Sequence, residues 1–419
     1  MVPRRSYFSL NSKPRKFCFA AACVAVAAVY LQFTTREFWA SHCIARNTPA
    51  GLAEAVSLQP SNAAYRDKFA RLLEANGNIP AAQQEYETAL RLNSHDAHYW
   101  LGLASVEERN GNVEGQQQAI EHAVQVDPRT PEIGWRAANF YLVQGETEAA
   151  LRQFRNVLEG DRDMAPAVLD FAWRATRDVN RLLADVLPEQ SATQLALLDV
   201  LAAHQETQAS QIVWRHLVSE GHPLELRLAL PYVDYLIEQR EIASALAAWD
   251  QLATLDRLPA YLSSQNLIVN GGFDAEILNA GFDWRYSRQD GVHISLDETV
   301  FHGGHRGLEI SFLGPGVDDV KISHLIPLSP NTTYDFSSYF RTGDLEGAGG
   351  PKIVISDAFS SHAYFTSDDL KNTGVWRQIN GTFTTGNDAK LAVLKIVRAP
   401  EGRPIRGTLW LDDLELSKK

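Results

Sequence analysis

The side chains best suited to chemistry in this chain are aromatic and basic residues in short alternating segments near its C-terminus. In residues 334–341, alternation sends the apolar side chains to one side and Tyr339 and Arg341 to the other. The apolar side is expected to face a core, which leaves Tyr339 and Arg341 free to meet a ligand. Pyranose C–H faces pack on aromatic rings and polar groups fix the hydroxyls, so this pair is typical of a sugar-binding surface.

Three further side chains are candidates for the same chemistry. Tyr286 alternates with Trp284 and Arg288, which places the three on one face, so one of them is expected at the entrance of a site and not in the core. Tyr364 and His362 are predicted to lie in a polar loop. We therefore predict ligand contacts from all three.

Other kinds of chemistry are poorly represented. His302 and His305 lack a third metal ligand nearby, and a hairpin turn is the preferred interpretation. The sequence contains no glycine-rich phosphate loop, nucleophile elbow or zinc-binding helix pair, and no carboxylate pair in a glycosidase context. Trp284, Trp376 and Trp410 are expected in the core. We predict that the chain is not an enzyme.

The elements that must position the C-terminal candidates are strands. Helical periodicity ends near Leu258, and alternating segments separated by turn signals follow. Strands are predicted at 307–312, 321–326, 333–341, 352–356, 376–384, 389–397 and 408–416. Short antiparallel strands at this spacing predict a β-sandwich.

Two segments of this region carry a family resemblance. It opens with NLIVNGGFD from Asn266 and closes with LWLDDLEL from Leu409, with FDW from Phe282 and Trp376 before GTF in between. Over about 266–419 this resembles the jelly-roll carbohydrate-binding modules of the family 4/9/22 type. The resemblance implies glycan binding. It also implies a structural Ca²⁺ between the first and last strands, at the matching positions Asp274 and Asp412, with solvated strand-end acids as the alternative.

The N-terminal half has a different period. Gly77, Gly111 and Gly145 are 34 residues apart, and small residues recur at matching places. This period is typical of stacked helical hairpins, in which glycine takes a positive φ between the two helices. The first hairpin is predicted over 63–76 and 79–92, and the series loses its glycine at Val179.

The hairpins resemble the tetratricopeptide repeat family. Trp100, Leu103 and Ala104, then Gly111, Ala123 and Pro128, fit its pattern of large and small residues. Three repeats cover about 63–162, with a weaker signal to residue 257. The resemblance implies a curved superhelix whose concave face holds a peptide or a partner protein.

The N-terminus predicts a membrane segment. Residues 17–33 are apolar and follow five basic residues, so a transmembrane anchor or a signal segment would send the body across the membrane. The predicted organisation follows from these features. It is a basic cytoplasmic tail at 1–16, the membrane segment at 17–33, a linker at 34–49, helical repeats at 50–257, a linker at 258–265 and the sandwich at 266–419.

The composition and charge of the chain limit the classes of partner that it can bind. The net charge is −12, and the chain after its basic tail carries −17, which argues against nucleic acid. Three cysteines near the N-terminus cannot form a disulfide framework.

The expected fold is therefore multidomain. An all-α helical-hairpin solenoid is followed by an all-β jelly roll, behind a transmembrane helix. The expected function is a membrane-anchored, periplasmic adaptor that holds a protein partner on its repeats and glycan on its sandwich. The alternative is a protein-interaction scaffold in which the sandwich only caps the solenoid and binds no sugar.

Overall fold

The computed structural model describes residues 12–188, 190–222, 224–255, 266–360, 362–400 and 402–419. The chain forms two compact units, Met1–Pro188 and Glu189–Lys419. The division falls inside the helical region, whereas the change from helices to strands follows Leu255. Helices followed by two antiparallel sheets confirm the predicted fold class.

The first unit is helical throughout its described part. Its helices are α1 (Lys13–Ala45), α2 (Pro49–Leu58), α3 (Ala63–Ala75), α4 (Ile79–Leu92), α5 (Ala97–Arg109), α6 (Val113–Val126), α7 (Pro131–Val143), α8 (Thr147–Gly160), α9 (Ala165–Thr176) and α10 (Val179–Arg181). A 3-10 turn, Arg162–Met164, precedes α9, and a π-helical turn, Leu182–Val186, follows α10. Helix α10 lies where the fourth repeat glycine is missing.

Helix α1 is longer than the predicted membrane segment. It continues through residues 34–45, where a linker was expected, because Ala40 and Cys43 are buried against Ala55 of α2. Its apolar part is exposed, and the mean hydropathy reaches 2.0. Among the described residues it is the one helix long and apolar enough to cross a membrane, and a signal sequence would have the same properties.

The repeat glycines act through backbone conformation. Gly77, Gly111 and Gly145 have φ of +77°, +70° and +77°. Apart from their own chain neighbours, no atom of the described residues lies within 4 Å of where a Cβ would stand on any of them. Each turn is closed by the same backbone bond, such as Asn112 N to Glu107 O at 2.9 Å. Glycine is therefore selected here for its positive φ and not for space.

The second unit repeats this turn without glycine. Its helices are α11 (Ser191–Ala203), α12 (Thr207–Glu220), α13 (Leu226–Glu238) and α14 (Ile242–Leu255). Gln205 and Arg240 occupy the turn position with φ of +58° and +61°. The same closing bonds form, Glu206 N to Leu201 O and Glu241 N to Leu236 O, each 2.9 Å. The hairpin geometry is therefore kept where the repeat glycine is absent.

Two five-stranded antiparallel sheets make up the rest of the second unit. Their strands are β1 (Trp284–Tyr286), β2 (Val292–Asp297), β3 (Gly307–Gly316), β4 (Asp319–Pro327), β5 (Thr333–Gly347), β6 (Pro351–Asp357), β7 (Ala363–Thr366), β8 (Arg377–Thr384), β9 (Leu391–Arg398) and β10 (Pro404–Lys418). The first sheet has the order β1-β4-β9-β6-β7 and the second has β2-β3-β10-β5-β8. Strands β1, β2 and β7 were not predicted.

The opening segment of the sandwich is fastened to its last strand. Asn266 donates to Leu414 O at 2.8 Å and accepts from Leu416 N at 3.0 Å. Leu414 N also donates to Gly271 O at 3.0 Å. A Cβ on Gly271 would stand 2.1 Å from Leu414 O, so only glycine allows this approach. Asn266 and Gly271 of the opening segment therefore close the sandwich.

Candidate functional site

The solvent-facing side of the second sheet carries the first predicted pair. On β5, Tyr334, Phe336 and Phe340 are buried in the core between the sheets. Tyr339 and Arg341 are half-buried on the opposite side of the strand. The predicted alternation is therefore correct, and these two side chains lie on a surface that a ligand can reach.

Trp410 extends this surface on the neighbouring strand β10. It pairs with Arg341, whose guanidinium carbon lies 5.8 Å from the centre of its ring. Its indole Nε1–H donates to Asp297 Oδ2 at 2.9 Å. The Arg341 side chain is half-buried, and its guanidinium forms no hydrogen bond or ion pair with another described residue. Its Nε is buried, so its terminal N–H groups are the donors that a ligand can reach.

A histidine from the β2–β3 connection completes the surface. The His302 ring stacks on Tyr339, with centroids 3.7 Å apart and 13° between the planes. Trp376 meets the edge of His302 at 5.7 Å. His302, Tyr339, Arg341, Trp376 and Trp410 are hereafter called the Tyr339 face. Aromatic rings beside charged groups have the composition expected of a sugar-binding surface.

Two expectations about tryptophans are corrected here. Trp284 is fully buried as expected, but Trp376 and Trp410 are only partly buried and belong to the Tyr339 face. Alternation in Leu409-Trp410-Leu411 already separates Trp410 from the two leucines, which face the core. No comparable signal marks His302, because its position depends on a connection that folds over a distant strand.

Tyr286 lies elsewhere. It is on β1, the edge strand of the first sheet, and 43% of its surface is exposed. Its backbone N–H donates to Asn279 Oδ1 at 2.8 Å. The two sheets pack face to face through their apolar sides, so Tyr286 does not share a surface with Tyr339.

Tyr364 and His362 occupy a third place, at the opposite edge of the first sheet. Tyr364 is in strand β7 and not in a loop, which corrects the prediction. Its ring packs on Phe383 at 5.5 Å, and its hydroxyl donates to Asp357 Oδ2 at 3.0 Å. Burial and this bond raise the pKa of Tyr364 to about 12. His362 is exposed just before the strand.

The predicted calcium ligands meet beside His302. A methyl group on Gly272 would lie 3.7 Å from Asp413 Oδ1 and 4.0 Å from both Asp274 Oδ2 and Asp412 Oδ1. Burial raises the pKa of Asp412 to about 6, although backbone N–H groups of the loop act in the opposite direction.

These carboxylates have protein partners in the structure. Asp412 Oδ2 accepts from His302 N at 2.6 Å and Gly303 N at 3.0 Å, and Asp274 Oδ1 accepts from His305 N at 2.5 Å. Among the described residues, no three His, Cys, Asp or Glu side chains are arranged to hold a metal ion.

The helical repeats carry a separate candidate surface. A cavity of about 230 Å³ lies between the second and third hairpins. Leu101 and Ile120 supply apolar contacts, while Trp135, Arg136 and Asn139 add aromatic and polar groups. Val143 at its edge is 83% exposed. Apolar residues at the edge of such a cavity are typical of a protein-binding surface.

Comparison with known families bears on the sandwich. Residues 265–401 match the family model described as a carbohydrate binding domain, CBM_4_9. This confirms the resemblance predicted from the opening and closing segments. The match begins at the segment that fastens to β10 and includes most of the Tyr339 face.

Individual relatives are more distant. The tRNA nuclease WapA of Bacillus subtilis (strain 168) is 24% identical over 192 residues, which are 43% of this chain. The chain spans only 8% of the length of that relative. Its counterpart in Bacillus subtilis subsp. natto, a tRNA(Glu)-specific nuclease, is 26% identical over the same share.

Among solved structures, a CBM4 module is 20% identical, with 36% of this chain and 99% of the module covered, at a TM-score of 0.29. The TPR protein YrrB, which has an unusual peptide-binding site, is 13% identical, with 50% of this chain and 94% of YrrB covered, at 0.28. PilF of Pseudomonas aeruginosa is 16% identical, with 54% and 95% covered, also at 0.28.

Proposed function

We propose that this protein is a non-catalytic, membrane-anchored adaptor whose sandwich binds glycan through the Tyr339 face. The observation that carries the proposal is the cluster of aromatic side chains around the guanidinium of Arg341, which is unpaired among the described residues. A pyranose ring would pack on the aromatic rings and accept a hydrogen bond from Arg341. The match of residues 265–401 to a carbohydrate binding domain supports the same reading.

The repeats would hold a protein partner. The cavity beside Trp135 supports this, since it combines an exposed apolar edge with polar groups that can fix a peptide. Helix α1 would anchor the chain in the cell inner membrane, with its body in the periplasm. A protein so placed could join a glycan to a polysaccharide assembly or export system. The relatives' nuclease activity is not proposed, because this chain spans so little of their length.

Binding is tested with the full chain in detergent micelles on a glycan array and in affinity gels. We expect Tyr339→Ala and Trp410→Ala to weaken binding about tenfold, the loss of one stacking contact. Tyr286→Ala is the matched control on the other sheet and should bind as the parent does. The proposal would be rejected if the parent retained no glycan, or if Tyr339→Ala bound glycan as tightly as the parent.

We also propose a structural Ca²⁺ at Asp274 and Asp412. A cation would keep the buried Asp412 ionised and relieve repulsion among the three carboxylates beside His302. Because His302 contacts both Asp413 and Tyr339, the ion would also fix one ring of the glycan surface. Chelator should then lower the melting temperature of the full chain. Equal melting with and without chelator would exclude a stabilising ion.

The alternative function is a protein scaffold in which the sandwich caps the last hairpins. One observation favours it. Asp234 of α13 pairs with Arg285 of β1 and accepts from Gly281 N at 2.7 Å. Trp249 of α14 packs on Phe282 at 6.0 Å. Capping and glycan binding use different surfaces, so the glycan experiment decides whether capping is the sandwich's only role.

A further inference from the structure

A second polar cavity lies in the second unit, away from the Tyr339 face. Its volume is about 640 Å³. The turn between α13 and α14 borders it together with three sandwich connections, β4–β5, β6–β7 and β8–β9. The volume lies within the roughly 300–1,000 Å³ of small-molecule sites. Sandwich loops alone do not form it, because one of its groups comes from the helices.

That group is Arg240. It occupies the hairpin turn where the first repeats have glycine, with φ of +61°. Its guanidinium carbon lies 4.8 Å from the centre of the Phe359 ring, and 37% of Phe359 is exposed. Among the described residues its side chain has neither an ion pair nor a hydrogen bond. A charged residue therefore replaces glycine at a strained position and holds free donors against an aromatic ring.

The other charged groups of the cavity differ in whether they already form hydrogen bonds or ion pairs. Asp357 is used within its own connection, since Oδ1 accepts from Phe359 N at 2.9 Å and Oδ2 from the Tyr364 hydroxyl. Lys390 and Asp388 are exposed and form no ion pair with another described residue. The formal charges of the cavity therefore balance, but the donors of Arg240 and Lys390 are free while the oxygens of Asp357 are occupied, with His362 at the rim. Free donors at Arg240 and Lys390 favour a small ligand with one carboxylate placed between them.

We propose that this cavity is a second saccharide site, specific for an acidic sugar unit. The sugar carboxylate would bind Arg240 and Lys390, and the C–H face of the ring would pack beside Phe359. A short acidic oligosaccharide with one unit in the cavity fits better than a long polyanion, because the body of the chain is strongly acidic outside the cavity. The site is distinct from the Tyr339 face and does not depend on it.

The test is calorimetric titration of the full chain in detergent micelles. The probe is trigalacturonate, and the uncharged galactotriose of equal length is its control. We expect the parent to bind the acidic probe at least about tenfold more tightly, since charge-assisted hydrogen bonds are its added contacts. Absence of binding, or equal affinity for the two probes, would overturn the proposal.

Two substitutions separate the guanidinium from the turn. Arg240→Gly removes the charge and also relieves the positive φ, so folding should not suffer. It should weaken trigalacturonate binding about tenfold, and Lys390→Ala about threefold. Arg227→Ala on α13 removes an exposed arginine away from the cavity and should bind as the parent does. Parent-like binding by Arg240→Gly would overturn the proposal.

One further variant distinguishes this site from the proposed function. Tyr339→Ala should keep trigalacturonate binding, while its binding of neutral glycan weakens about tenfold. If Tyr339→Ala also abolishes trigalacturonate binding, the acidic sugar binds on the Tyr339 face. The cavity proposal then fails and the adaptor function stands. If the chain binds no neutral glycan but Arg240→Gly weakens trigalacturonate binding, the adaptor function fails and the cavity proposal stands.

Discussion

The helical hairpins and the β-sandwich of this chain are closed by hydrogen bonds that join residues at very different sequence separations. Each hairpin turn is closed within a few residues, as by Asn112 N and Glu107 O. The sandwich is closed by Asn266 and Leu414, which are 148 residues apart. Hairpin geometry is therefore set locally and can be repeated, whereas the sandwich forms only when its two ends meet.

Glycine shows what this difference means. Gly111 stands in open space and is needed for its positive φ, while Gly271 is needed because Leu414 O lies where a Cβ would be. Replacement of Gly111 should strain one hairpin turn. Replacement of Gly271 should lower the stability of the whole sandwich.

The largest effect is expected from Gly271→Ala. The new methyl group would clash with backbone that cannot yield alone, so the sandwich should lose about 3 kcal/mol of stability. Hydrogen exchange of the full chain should show weaker protection across β3, β5 and β10, with the hairpins unchanged. Gly374→Ala is the matched control, since nothing lies within 4 Å of its Cβ position. Similar exchange in both variants would contradict closure by close approach.

A second effect concerns a buried histidine of the sandwich. His324 is fully buried, its Nε2 lies 3.1 Å from Val269 O, and its Nδ1 has no partner among the described residues. Burial lowers its pKa to about 3. The ordinary pKa of histidine is about 6.5. Below that pH the unfolded chain binds a proton that the folded chain does not, so the free energy of unfolding falls by about 1.4 kcal/mol for each pH unit.

Relative to the parent, His324→Gln should therefore gain stability as the pH falls from 6.5 towards 4. Asp283→Asn should do the opposite below pH 6, because burial raises the pKa of Asp283 to about 6 and its folded form takes up a proton first. Denaturant unfolding at several pH values measures both slopes. Parallel slopes for the two variants and the parent would refute the burial argument.

The smallest effect is expected in the hairpins. Gln205→Gly should stabilise its turn by about 1 kcal/mol, because it removes a non-glycine residue from the left-handed region. Gly111→Ala should cost a similar amount. Local hydrogen exchange at each turn is the measurement. If Gln205→Gly destabilises its turn, the second-unit hairpins do not share the geometry of the first.

Much of the architecture could be predicted from local patterns. The glycine period indicates the first three hairpins, and alternation in residues 334–341 indicates which side of β5 faces outward. The later hairpins were harder to assign because Gln205 and Arg240 replace glycine while the backbone stays the same. Strands β1 and β7 escaped prediction because they are short edge strands. Strand β2 is also an edge strand, and none of its residues is fully buried.

The candidate site was predicted only in part. Tyr339 and Arg341 were found by alternation, but Tyr286 and Tyr364 lie on the other sheet. His302 was considered only as a metal ligand or turn residue, although it stacks on Tyr339.

The sequence alone determined the helix-then-strand order, the hairpin turns and the outward side of β5, because each depends on neighbours within a few residues. Only the tertiary structure decided which rings meet. His302 and Tyr339 come together through the pairing of β3, β10 and β5, and Arg240 reaches Phe359 only where a helical turn lies beside the sandwich. Such contacts depend on strand pairing and packing between distant segments, which no local pattern encodes.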